Sequence, residues 1–231
     1  MNQNQQTQKK SPLIIGIIIA FILSGMPVFL YFMGLKPFPY SATFIFFNEI
    51  YYWSILIILF LYVTGIEKQK YLIWDEKNYP LTYYLKSVFK TLGIMLIGIM
   101  LIGMMIIGVL LKISGINDQS DKMSKIIQIL HKHKILIILI SLTAGITEEL
   151  IFRAYMLTRL EMLIKKPAMS ILISAVLFGI LHISYGTVGQ ILGPLFLGII
   201  FAAHYYRYRN IKIIIICHFM WDLLSLYIKA H

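Results

Sequence analysis

Apolar runs separated by short polar segments divide the chain into seven stretches of roughly membrane-crossing length, at residues 13–33, 44–64, 92–111, 135–157, 168–183, 188–206 and 211–228. A helical span needs about 20 apolar residues, because the hydrocarbon core is about 30 Å thick and a helix rises about 1.5 Å per residue. The runs are continuous rather than alternating, which favours helices over a closed barrel as the structure that satisfies every backbone N–H and C=O in lipid. The pattern therefore predicts an all-α, polytopic transmembrane bundle of about seven spans.

Composition agrees with the pattern. A hydrophobic fraction of 59% and a mean hydropathy of +0.79 exceed what a soluble domain of this size buries. The 231 residues leave no room for a separate soluble domain, so residues 1–231 are expected to form one membrane-embedded domain, with residues 1–11 as a disordered tail. The first run follows Lys9 and Lys10 as a signal peptide would. It is long and lacks a small-x-small cleavage site, so it is expected to stay as an anchor.

The net charge of +11 comes from loop lysines and arginines. No basic stripe with interleaved aromatics is present, so the expected partners are anionic membrane lipids and not nucleic acid. Lys68, Lys70, Lys77, Lys86, Lys90, Arg159, Lys165, Lys166, Arg207, Arg209 and Lys212 fall on the side shared with Lys9 and Lys10, which places the amino terminus in the cytoplasm. Lysines 112, 122, 125, 132 and 134 dilute that bias, and their segment has the character of an amphipathic helix lying on the surface. Cys217, the single cysteine, excludes an internal disulfide framework and reads as a small buried side chain. Gly189 and Gly193, four apart, are candidates for a close helix contact, with a break or kink expected at Pro194.

Three constellations carry chemistry. Glu148 and Glu149 lie inside the fourth run, in EELIFR, where each charge costs about 2.5–3.5 kcal/mol on insertion scales. Glu149 and Arg153 are four apart and share a face, whereas Glu148 points about 100° away and is the candidate general base. Phe178 and His182, in FGILH, put an aromatic ring and an imidazole on one face of the fifth run. His218 and Asp222, in HFMWD, do the same with two titratable groups on the last run, which must face inward. Peptide hydrolysis needs a base, an oxyanion stabiliser and an acid for the leaving amine, roles open to Glu148, His218 and His182. His182, His218 and a carboxylate also match a catalytic zinc set, although HExxH is missing. Glu49 and Asn48 in the second run form a further polar pair without an assigned role.

These motifs, in this order on separate apolar helices, resemble the CPBP family of intramembrane endopeptidases, which includes CAAX prenyl proteases and bacteriocin-processing enzymes. The resemblance covers residue 135 to the carboxyl terminus. It implies a catalytic cavity between spans four, five and seven, with Glu148 and His182 activating a water and Glu149 and Arg153 holding the site. His218 and Asp222 would face the scissile carbonyl or, if Asp222 joins His182 and His218, bind zinc; no cofactor is the first expectation. Phe152 and Phe178 would contact substrate. Asp222 replaces the asparagine of the prenyl proteases, and an ionised aspartate cannot donate to an oxyanion. It is protonated, orients His218, or binds a metal. The implied substrate is a leader, signalling or bacteriocin-type peptide or a prenylated carboxyl terminus, in a bacterial plasma membrane. Two other classes use the same residues: a proton-coupled transporter and a non-catalytic immunity or scaffold protein.

Overall fold

The computed structural model describes residues 10–35, 40–100, 108–114 and 118–230, and the described residues are helical without strands. Helix α1 (Lys10–Phe32) begins two residues inside the expected tail; the rest of that tail lies outside the described residues. Helix α2 (Ala42–Tyr62) opens on Ser41, whose hydroxyl accepts from Phe44 N at 3.1 Å, and continues through one π turn to Glu67. Helix α3 (Leu81–Met100) starts well before the expected third span, whose centre, residues 101–107, lies outside the described residues. Helix α4 (Gly108–Ser114) and the amphipathic α5 (Asp121–Lys132) follow, the latter capped by Ser120.

Helix α6 (Ile135–Glu149) runs on through a π-helical stretch, Leu150–Leu157, into α7 (Thr158–Ile164). Helices α8 (Pro167–Ile180), α9 (Gly189–Tyr208) and α10 (Ile211–Lys229) complete the bundle. Six helical segments among the described residues are long and apolar enough to cross a membrane, against the seven expected. This is a multi-pass membrane protein. Side chains such as Ile14, Ile18, Ile57, Leu61 and Ile97 are exposed on its flanks, where hydrocarbon takes the place of water.

Packing pairs α8 with α9, α6 with α10, and α2 with α6. The close crossings depend on small residues. A Cβ on Gly145 of α6 would stand 3.0 Å from Phe219 N and 3.1 Å from Ile215 O of α10, and one on Gly198 of α9 would stand 3.1 Å from Ala175 Cα of α8. The expected glycine contact is not the one found. Among the described residues Gly193 meets nothing within 4 Å and Gly189 faces Asp118. The α8–α9 seam is instead built on Ala175, Gly179 and Gly198, so the four-residue spacing of small residues that matters lies on α8.

Pro27 sits inside α1 and deprives the Leu23 carbonyl of its helical donor. The Tyr51 hydroxyl supplies one, donating to Leu23 O at 2.6 Å. At the end of the bundle where α2 finishes, Arg159 is wholly buried, not in a loop as its neighbours in sequence suggested. Its Nη2 donates to Glu67 Oε2 at 2.9 Å, its Nη1 to the Tyr71 carbonyl at 2.9 Å, and Tyr155 donates to Glu67 Oε1 at 2.7 Å. Lys68, Lys165 and Arg209 end helical segments at this same end with φ of 53°, 57° and 51°. A left-handed cation there trades about 1–2 kcal/mol of backbone strain for charge complementary to the helix carboxyl end.

Candidate active site

The acidic pair stands where α-helix gives way to π-helix. Glu148 and Glu149 close α6, and Phe152 and Arg153 belong to the π stretch, a local geometry that recurs at functional sites. Glu148 lies about 20 Å along its helical segment at 1.5 Å per residue, away from either end of Ile135–Ile164. Helix α10 crosses at Gly145 and brings His218 and Asp222 against the pair.

One oxygen organises the cluster. Glu149 Oε1 accepts from Arg153 Nη1 at 2.8 Å and lies 2.8 Å from His218 Nδ1, and both Glu149 and Arg153 are 0% exposed. A carboxylate oxygen only accepts, so Nδ1 of His218 carries a proton. The other ring nitrogen, Nε2, faces Asp222 Oδ2 at 3.4 Å and Glu148 Oε2 at 3.8 Å. Glu148 makes no hydrogen bond to a described residue and is 19% exposed, against 25% for Asp222. The 3.8 Å gap is too long for a direct hydrogen bond and suits a bridging water.

His182 follows the end of α8. Its Nδ1 lies 2.9 Å from the Phe178 carbonyl, which fixes that nitrogen as the donor and leaves Nε2 as an acceptor. The Phe178 ring stands between the two imidazoles, 4.9 Å from that of His182 and 6.3 Å from that of His218. The six motif residues are thus gathered at the junction of α6, α8 and α10.

Phe152 and Phe178 are 2% and 3% exposed, and their rings pack edge to face at 5.0 Å. Phe178 lies 4.4 Å beneath the Arg153 guanidinium, with Phe201 of α9 at 5.5 Å. Arg153 Nε and Nη2 have no hydrogen-bond partner among the described residues, and these aromatic faces supply their attraction. Both phenylalanines pack in the core directly behind the site. Phe201, which also lies 5.4 Å from the His218 ring, was missed because nothing in the spacing of α9 links it to α10.

The main cavity among the described residues has a volume of about 1380 Å³ and lies beside the junction, not within it. Its walls come from α1, α2, α5 and the turn after His182, including Glu49, Tyr52, Lys122 and Tyr185. Arg153 and Phe178 stack on each other at the junction of the motif helices, and this cavity runs beside them along α2. Glu49, 7% exposed, lines this wall, and Tyr52 and Tyr185 are within electrostatic reach of both Glu49 and Glu148. Among the described residues no three His, Cys, Asp or Glu side chains converge as ligands of an ion.

Residues 131–224 match the family model described as type II CAAX prenyl endopeptidase Rce1-like. No curated protein and no solved structure matches the chain significantly. The matched stretch holds Glu148, Glu149, Arg153, His182, His218 and Asp222. That match, over the carboxyl-terminal part of a multi-pass helical bundle, makes this stretch similar to the CAAX prenyl endopeptidases and supports the resemblance to the CPBP/CAAX-protease family.

Proposed function

We propose that the chain cleaves a peptide at the membrane with water activated by Glu148, without a metal ion. The observation that carries this reading is the division of the acidic pair. Glu149 is consumed by Arg153 and His218, whereas Glu148 is partly exposed and uncommitted. Glu148 takes a proton from the attacking water, and the acceptor Nε2 of His182 orients the same water. His218, held through Nδ1–H by Glu149, acts as the imidazolium and donates Nε2–H to the oxyanion, and Asp222 orients that ring and balances its charge rather than donating. Glu148 then returns its proton to the leaving amine.

Full-length protein purified in detergent is expected to cleave a membrane-associated peptide and to lose that activity in Glu148→Ala and in His182→Ala with folding unchanged. Full activity in both variants overturns the assignment. Chelators are expected to leave turnover intact, and loss of activity restored by zinc alone returns His182, His218 and Asp222 to the metal reading.

With the amino terminus in the cytoplasm, the cavity opens on the outer side together with α5 and the turn after α8. That sidedness favours a leader, signalling or bacteriocin-type peptide of a bacterial plasma membrane over a prenylated carboxyl terminus, which is presented from the cytoplasm.

A further inference from the structure

Lys122 is built into the cavity wall instead of projecting from the polar face of α5. Its Nζ donates to Ser184 Oγ at 3.0 Å and stands 4.2 Å over the ring of Tyr185. Ser184 and Tyr185 belong to the turn that follows His182, and the Tyr185 ring stacks on the His182 imidazole with centroids 6.0 Å apart. The ammonium is therefore one aromatic ring away from the catalytic imidazole.

Among the described residues no carboxylate forms an ion pair with Lys122. Asp118, the nearby acid of the preceding segment, is committed to Val188 N at 2.6 Å and Gly189 N at 3.1 Å, where it caps α9. Asp121 precedes Lys122 on α5, and Lys125 lies about one turn further on. Burial pushes the Lys122 amine down to about 8, because a desolvated ammonium lacks the hydration that stabilises its charge. It stays charged at neutral pH, and an incoming anion relieves that cost.

We infer that Lys122 is a specificity-determining residue that receives a carboxylate of the peptide, either its carboxyl terminus or an acidic side chain, while the scissile bond lies at Glu148. This rests on the peptidase reading and names its substrate as an anionic peptide. Two further cations lining the cavity, Lys125 and Lys132, and the hydroxyl of Ser184 extend the same acceptor-binding surface.

The test is a binding measurement that does not need turnover. Full-length Glu148→Gln protein in micelles of neutral detergent is titrated with two pairs of fluorescent peptides. One pair differs in a free or amidated carboxyl terminus, the other in an internal Glu or Gln. The carboxylate member of one pair is expected to bind about tenfold more tightly, as a charge-assisted hydrogen bond provides, and that pair identifies the source of the carboxylate. Lys122→Met is expected to erase the difference, and Lys122→Arg to retain it. Equal binding within both pairs, or a preference that survives Lys122→Met, overturns the inference. So does a Lys122 dependence that appears only when phosphatidylglycerol is added, which assigns the amine to a lipid headgroup. Lack of cleavage by the parent protein with this preference intact counts against the peptidase reading and not against the anion site.

Discussion

Glu149 Oε1 lies 2.8 Å from His218 Nδ1 and the same distance from Arg153 Nη1, so one buried oxygen ties α10 to the π-helical stretch after α6. Removing its charge leaves a wholly buried guanidinium without compensation, a loss of about 3–5 kcal/mol. Glu149→Gln is expected to unfold at markedly lower temperature in detergent. Glu148→Gln, which breaks no hydrogen bond to a described residue, is expected to keep the parent's melting temperature and to lose cleavage by about 10²–10⁴-fold. Equal melting losses in the two variants remove the division of labour on which the mechanism depends.

Gly145 sets the distance between the acids and the imidazole. A Cβ there meets the α10 backbone at 3.0 Å and 3.1 Å, at Phe219 N and Ile215 O on either side of His218. In Gly145→Ala, α10 must retreat by a few tenths of an ångström, and misplacement on that scale is expected to lower turnover about tenfold with helical content unchanged. Gly193→Ala is the matched control, since no described residue lies within 4 Å of its Cβ, and its turnover is expected to equal the parent's. Circular dichroism and cleavage rates of the two variants decide the matter.

The Glu67–Arg159 pair lies at the opposite end of the bundle from the cavity and is expected to act on stability alone. Arg159→Met leaves Glu67 buried with only the Tyr155 hydroxyl, at a cost of about 3–5 kcal/mol. The double replacement with Glu67→Gln is expected to recover much of that loss, because no charge is then left unpaired. Turnover per folded molecule, measured below the melting transition, is expected to match the parent in both. A fall in turnover of the double variant at full folding gives this pair a part in the chemistry.

Local spacing made much of the site legible and little of its surroundings. Glu149 with Arg153, Phe178 with His182 and His218 with Asp222 are all four apart, and helix geometry alone puts each pair on one face. Spacing along one helix says nothing about which helices meet. Glu67 with Arg159, and Phe201 with His218, are therefore invisible until the bundle is assembled. The cavity among the described residues is lined by α1, α2, α5 and the turn after α8, an assembly that no spacing along a single helix encodes. The order of charges also misled at Arg159, which sits among loop cations in sequence but is neutralised inside the bundle by an acid from α2's continuation.

Sidedness decides which peptides reach the cavity, and it can be read with single cysteines. Cys217 is wholly buried, with Sγ against the Val88 carbonyl, so the parent offers a membrane-impermeant maleimide little to label. Lys125 is exposed on α5 at the cavity end, and Lys68 is exposed at the end where α2 finishes. With the amino terminus in the cytoplasm, Lys125→Cys is expected to label in intact cells and Lys68→Cys only after permeabilisation. The reverse pattern turns the cavity toward the cytoplasm. The anion-binding wall at Lys122 then faces peptides before export, and a prenylated carboxyl terminus becomes the better substrate.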